Sequence, residues 1–360
     1  MVVGYSSATM EEPVPASESE ISIEDPRITA VDLFSGCGGM SLGFNNAGFR
    51  IIRAFDNWIP AIENYRANFD HPIEKRDLGD WKSVAADVKR LAPTVILGGP
   101  PCQDFSLAGS RSEGAKALLT PAFANIVIDS ETPFFVMENV PAALRSQAYA
   151  TAKENLVDAG YALHELRLNS VDFAVPQKRR RVFVVGSCAG QLHTLENFLD
   201  HEKSDQQVSV REALGKIEFD HYYRHPRSYS RRGVFSVDEP SPTLRGTSRP
   251  RPATYKAHPD DSSADADIQS LNESQRALLQ GFPATYKWTG TKTDLSQMIG
   301  NAVPVGLAQA VATALRKSIM DGVRLEPGTV VKPSDAGDAP ITSVRTAAQT
   351  IRHDVICRTR

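Results

Sequence analysis

From residue 27 onward, short apolar runs closed by glycine, proline or an acidic residue alternate with stretches of helical periodicity. The runs at 28–34, 51–55, 94–97 and 134–137 predict strands, and further strands are expected at 162–168 and 182–186. Between them, 59–69, 81–91 and about 115–130 carry helix patterns, and a helix-like segment follows the first strand's glycine-rich turn. Strands alternating with helices predict an α/β fold: a doubly wound, mostly parallel sheet covered on both faces. After Ser187 the pattern lapses. To about residue 267 the chain is polar and rich in Arg, Ser, Pro and Tyr, which predicts an inserted module that is irregular or β-rich. Periodicity returns at 271–279 and 303–315. The acidic, Ser/Pro-rich residues 1–26 predict a disordered lead, and 320–360 a weakly ordered tail.

Composition changes this picture at three points. A chain of 360 residues has room for two domains and a sizeable core without covalent staples. Four cysteines, Cys37, Cys102, Cys188 and Cys357, stand at no metal-like or paired spacing, so neither a zinc knuckle nor a disulfide framework is expected, and the compartment is expected to be reducing. No apolar run near 20 residues and no signal peptide is evident, so a cytoplasmic, membrane-free protein is expected. The net charge of -3 hides a local excess. Between 221 and 256 stand Arg224, Arg227, Arg231, Arg232, Arg245, Arg249, Arg251 and Lys256 against Asp238 and Glu239, and Lys178-Arg179-Arg180-Arg181 adds a second cluster. Such density is what phosphate binding requires, although a solvated basic face would look the same.

Four stretches carry candidate chemistry. The first, Gly98-Gly99-Pro100-Pro101-Cys102-Gln103-Asp104-Phe105-Ser106, empties a buried strand into a stiff loop where two prolines fix the backbone before a thiol. That is a mount for a nucleophile, against the alternative of a cysteine that merely fills core. In the second, Asp32 to Met40, a strand runs into glycines and then a helix, a turn that lets a cofactor approach the backbone. Ser41 stands where a dinucleotide fingerprint has its third glycine, which lowers the case for a nicotinamide or flavin cofactor and leaves an adenosine cofactor, for which a pyrophosphate is not required. Asp56, closing the next strand, is placed either for ribose hydroxyls or as a helix N-cap. Third, Glu138 closes the strand at 134–137 and is either a general acid sharing a crevice with Cys102 or a cap. Fourth, alternation sets Gln177, Arg179 and Arg181 on one side, as three donors converging on the cleft or as a basic strand edge.

These motifs, in order Asp-Leu-Phe-Ser-Gly-x-Gly-Gly (32–39), Pro-Pro-Cys-Gln-x-Phe-Ser (100–106), Glu-Asn-Val (138–140), Gln-x-Arg-x-Arg (177–181) and Gly-Asn-Ala-Val-Pro (300–304), resemble the DNA (cytosine-5)-methyltransferase family of bacterial and phage modification enzymes. The resemblance spans about 28–315. It implies that Cys102 attacks carbon 6 of a cytosine in double-stranded DNA, that Glu138 contacts ring nitrogen 3, and that Arg181, supported by Arg179, holds oxygen 2. It further implies S-adenosyl-L-methionine as methyl donor, no metal, and a pocket formed by Phe34, Gly36, Gly38, Gly39, Asp56, Asp77, Leu78, Pro101, Leu119, Asn301 and Val303. DNA contacts are expected from Gln103, Ser106, Gln177, Arg231, Arg232, Thr243 and Arg245. Because Asn301 and Val303 return to the glycine turn, the catalytic and cofactor-binding domain is expected to be discontinuous, 27–186 plus 292–319, around a target-recognition small domain at 187–291. A base inside a duplex must be swung out of the stack first. A monomer is expected, with a cognate restriction endonuclease as candidate partner. The competing readings are an RNA cytosine-5 methyltransferase on this scaffold and a non-catalytic DNA-binding regulator.

Overall fold

A computed structural model describes residues 28–101, 118–188, 192–226, 228, 230–265 and 268–324. In chain order its elements are β1 (Thr29–Leu33), α1 (Gly39–Asn46), β2 (Arg50–Asp56), α2 (Ile59–Arg66), β3 (Ile73–Lys75), α3 (Trp81–Leu91), β4 (Val95–Gly98), α4 (Leu119–Asp129), β5 (Phe134–Asn139) and α5 (Gln147–Asp158). There follow β6 (Tyr161–Asn169), β7 (Gln177–Lys178), β8 (Arg180–Cys188), α6 (Leu195–His201), α7 (Val210–Leu214), β9 (His221–Tyr223), β10 (Val234–Ser236), β11 (Ser241–Pro242), α8 (Glu273–Leu279), α9 (Lys292–Asn301) and α10 (Val305–Arg324).

Seven strands form one sheet in the order β3-β2-β1-β4-β5-β8-β6. The first five run parallel, and β8 lies antiparallel between β5 and β6. The central strands Val-Ile-Leu-Gly of β4 and Phe-Phe-Val-Met-Glu-Asn of β5 are buried at every residue, because helices cover both faces. On one face Met40 and Phe44 of α1 pack with Leu307, Val311 and Leu315 of α10; on the other, Val84 and Val88 of α3, Phe123 and Val127 of α4 and Leu156 of α5 close the sheet. The order reverses between β1 and β4, and in open α/β sheets ligands bind outside the strand ends at such a switch point.

The strands and helices expected from periodicity stand within a few residues of their anticipated limits, but β3 and α5 were not anticipated. The first has three residues, and α5 buries Ala148, Tyr149, Ala152 and Leu156, so small side chains blur its apolar face. The character change at Ser187 precedes the true departure from the sheet. Leu192, Leu195 and Leu199 of the α6 region are buried in the same core as α10, so the module leaves the sheet after α6. Helix α10 also runs to Arg324, beyond the expected limit of 315. The helical stretch Lys292–Gly322 is long and apolar enough to cross a membrane, but 72% of its apolar window is buried within the protein, as in a core helix.

The inserted module has little regular structure. Strands β9 and β10 pair antiparallel, β11 pairs with β7, and a small core gathers Val210, Tyr222, Phe235, Val237, Leu244, Leu271 and Leu279.

Candidate active site

At the switch point β1 is followed by Phe34, whose φ of +58° is left-handed, a conformation costing a non-glycine residue about 1–3 kcal/mol and tolerated where surroundings enforce it. The chain then turns through 35–38 into α1. A Cβ on Gly39 would collide with the Val303 carbonyl, so only glycine lets the 300–304 segment close over this turn. A Cβ on Gly36 would meet nothing within 4 Å, leaving that side open. The resulting cavity of about 230 Å³ is walled by the 32–40 turn, Asp56 to Trp58, Gly99, Pro101, Glu138 and the 298–303 segment.

Asp56 is held by main-chain donors. The Gly36 N–H donates to Oδ2 and the Trp58 N–H to Oδ1, both at 2.8 Å. Burial raises its pKa and these N–H groups oppose the rise. Asp32, 1% exposed, accepts a hydrogen bond from Ser41 Oγ at 2.6 Å on Oδ2, while its Oδ1 has no hydrogen-bond partner among the described residues. Burial lifts its pKa to about 7.

The opposite wall contains an acid–guanidinium pair. Because β8 is antiparallel to β5, the beginning of β8 meets the end of β5, and Arg181 Nε lies 2.9 Å from Glu138 Oε1. Burial raises the Glu138 pKa, and the charges of Arg181 and Arg179 and the hydrogen bond from Arg181 oppose the rise. Asn139 fixes the neighbouring loop, donating from Nδ2 to the Pro100 carbonyl at 3.1 Å. A Cβ on Gly99 would stand 3.4 Å from Glu138 Oε2, so the β4 loop and the Glu138 carboxyl are adjacent.

Of the expected residues, Phe34, Gly36, Gly39, Asp56, Pro101, Glu138, Asn301 and Val303 converge on the cavity. Cys102, Gln103 and Ser106 lie outside the described residues. Gly38 does not line the cavity: a Cβ there would strike Phe69, so this glycine serves packing against α2. Asp77, Leu78 and Leu119 also stand outside the lining; Asp77 Oδ1 accepts from the Gly79 N–H at 2.9 Å and Leu78 is core. Gln177 and Arg179 are buried at 0% and 1% exposure and do not converge on the cleft. Gln177 donates to Gln280 Oε1 and accepts from the Leu244 N–H, and Arg179 donates to the carbonyls of Leu244, Gly300 and Ala302 at 2.9, 2.9 and 3.1 Å. They join the module to the α9–α10 turn, since alternation predicts a side but not what is packed against it.

In the module, Thr243 Oγ1 donates to the Lys178 carbonyl, Arg245 donates to the His225 carbonyl, and Arg232 pairs with Glu239 and lies over the Phe235 ring at 4.2 Å. Arg231 is exposed and lines a recess of about 440 Å³ with Arg224, Arg232 and Arg245. Sequence reasoning did not single out Asn57, Trp58 or Met298 of the cavity wall, and it carried Asp32 and Ser35 only as members of the 32–40 motif, with no role of their own. Two of these flank singled-out residues, Ser35 beside Phe34 and Asn57 beside Asp56, and that adjacency was the available signal.

The cavity suits an adenosyl amino-acid cofactor. Asp32 Oδ1 and Ser35 Oγ are buried acceptors without partners, Asp56 faces the turn, and Phe34 and Trp58 offer aromatic faces. Among the described residues no group of three His, Cys, Asp or Glu is placed to hold a metal ion.

Comparison with known proteins agrees with this geometry. Residues 28–317 match the family described as C-5 cytosine-specific DNA methylase. The chain is 48% identical over 288 residues to the type II methyltransferase M.HgiDI of Herpetosiphon aurantiacus, covering 79% of this chain and 93% of that one. It is 46% identical over 289 residues to M.HindV of Haemophilus influenzae, covering 79% and 95%. The crystal structure of the S. pombe Dnmt2 methyltransferase superposes with a TM-score of 0.62 at 19% identity, over 81% of this chain and 99% of that one, a likeness of fold.

Proposed function

The chain belongs to the C-5 cytosine-specific DNA methylase family, and from that premise we propose that it methylates carbon 5 of a flipped-out cytosine through a covalent adduct of Cys102. The Arg181–Glu138 pair carries this reading: a buried carboxyl, its pKa raised by burial and held by a guanidinium, in the wall of a cavity that is also lined by Pro101, the residue immediately before Cys102 in the chain.

Carbon 5 of cytosine is a poor nucleophile until a thiolate adds to carbon 6, so a covalent route divides one hard step into two easier ones. Glu138 in its acid form donates to ring nitrogen 3 and draws electrons from carbon 6 as Cys102 adds. Arg181, already on Glu138 Oε1, supplies the positive charge that oxygen 2 needs in the adduct, and Arg179 supports it by holding the adjoining turn. S-adenosyl-L-methionine, when bound, supplies the methyl group. Phe34, Gly36, Gly39, Asp56, Asn301 and Val303 hold it, Asp56 meeting the ribose hydroxyls. A base, such as a water molecule, then takes the carbon 5 proton as the carbon 6–sulfur bond breaks, and Cys102 leaves as the thiolate.

The sheet with α6, α9 and α10, residues 28–201 and 292–324, serves as the catalytic body, and 202–291 as the recognition module, in which Arg231 meets DNA. Similarity to type II methyltransferases supports a restriction-modification role, with a cognate endonuclease as partner and a cytoplasmic monomer as the working form. Purified protein given labelled methyl donor and cytosine-containing duplexes should label one cytosine within a short fixed sequence, located by bisulfite reading. Label confined to RNA, or to no pyrimidine, would defeat the proposal.

A further inference from the structure

Behind the cavity runs a continuous file of four side chains from three elements and a loop. Asp32 Oδ2 on β1 meets Ser41 Oγ on α1 at 2.6 Å, Ser41 Oγ meets the Tyr65 hydroxyl on α2 at 2.7 Å, and that hydroxyl meets His71 Nε2 at 2.6 Å. Asp32, Ser41 and Tyr65 are essentially inaccessible, while His71 is half-buried at the far end. Phe69 stacks on Tyr65 with ring centroids 4.2 Å apart and keeps the file covered. We infer that these four residues form a proton wire, by which Asp32 gives up its proton when a cationic cofactor enters the cavity. This rests on the adenosyl-cofactor reading of the cavity.

The geometry favours a neutral Asp32 in the empty protein. A bare, buried carboxylate oxygen is costly, and Oδ1 has no donor. Among the described residues, the other titratable groups facing this region offer no compensating cation: Asp56 from β2 repels a second negative charge, and Cys37 in the turn and Tyr286 beside Tyr65 are pushed up by burial. Only His71, with Asp70 next to it, can take a proton, and burial holds it below its ordinary value so that one ring nitrogen is bare at neutral pH. The Asp32 value of about 7 agrees with this balance.

With Asp32 ionised, Ser41 donates to Oδ2; with Asp32 neutral that bond runs the other way, Asp32 donating to Ser41, Ser41 to Tyr65, and Tyr65 to the bare Nε2 of His71. When an ammonium comes to Oδ1, each hydrogen moves one place: Ser41 takes the Asp32 proton and passes its own to Tyr65, which passes its own to Nε2. A carboxylate and an imidazolium result, and His71 then releases its Nδ1 proton to water. One proton leaves, and every hydrogen bond in the file reverses.

S-adenosylhomocysteine, which carries the ammonium without the transferable methyl, is the probe. Nitrogen-15 spectra of the histidines near pH 7, with His71 identified by His71→Gln, should show Nε2 of His71 passing from unprotonated to protonated as the probe saturates. That response should vanish in Ser41→Ala and in Tyr65→Phe. Calorimetry in two buffers of different ionisation enthalpy should find net proton release on binding near pH 7, and none in Asp32→Asn. A His71 Nε2 that is protonated beforehand, or that responds unchanged in Ser41→Ala and Tyr65→Phe, overturns the wire. Equal release in Asp32→Asn does so too. A probe that produces neither heat nor shift removes the cofactor reading itself.

Discussion

The sheet crevice and the inserted module are held together by different means, and the contrast decides which charged residues are free for function. Around the crevice, apolar helices on both faces fix the strands, so the polar side chains at the strand ends, Asp32, Asp56 and Glu138, are positioned without being consumed. The module has a small core and is tied by its own charges: Arg211 to Asp220 and Asp238, Arg232 to Glu239, Arg224 to the Thr243 carbonyl, Arg245 to the His225 carbonyl. A cluster of arginines in sequence is thus a poor count of the charges offered to DNA.

Four substitutions press on that contrast. The largest effect belongs to the crevice: Glu138→Gln should lower the single-turnover methylation rate by about 10²–10⁴-fold with the melting temperature nearly unchanged, as expected for a group in proton transfer. An undiminished rate would make Glu138 a strand-end cap. Next, Arg179→Met strips buried carbonyls of Leu244, Gly300 and Ala302 of their donor, and urea unfolding should show a loss of about 3–5 kcal/mol. A stable Arg179→Met protein that has lost only its rate would return this arginine to the catalytic group. The smallest effect separates two adjacent arginines. Neutralising Arg231 should reduce the salt dependence of DNA binding by about 0.9 in log–log slope for one phosphate contact and leave stability intact. Neutralising Arg232, which holds Glu239 and covers Phe235, should instead cost about 0.5–1 kcal/mol of stability. Equal slopes for the two would blur the distinction between structural and DNA-facing charge.

The same division explains what the sequence made legible. Runs such as 94–97 and 134–137 show buried parallel strands directly, and the turn-forming glycines and the strand-closing Asp56 and Glu138 follow from them. The hidden part lay where partners are remote in sequence. Nothing near Arg179 announces that its carbonyl partners are Leu244, Gly300 and Ala302, 65 to 123 residues away, and alternation alone made Arg179 and Gln177 look like cleft residues. Ser41 was noticed only as a missing glycine, whereas its hydroxyl bridges Asp32 and Tyr65. The boundary of the module was blurred because α6 is short and its polar surroundings mask Leu195 and Leu199, which remain in the sheet's core.

The covalent route through Cys102 is tested most directly by incubating the protein with duplexes containing 5-fluorocytosine at the target position and S-adenosyl-L-methionine. Fluorine at carbon 5 blocks the final elimination, so a denaturation-resistant protein–DNA adduct should accumulate and map to the peptide bearing Cys102, and Cys102→Ser should form none. An adduct of equal yield in Cys102→Ser, or methyl transfer to ordinary duplexes by that variant at the native rate, would contradict the account.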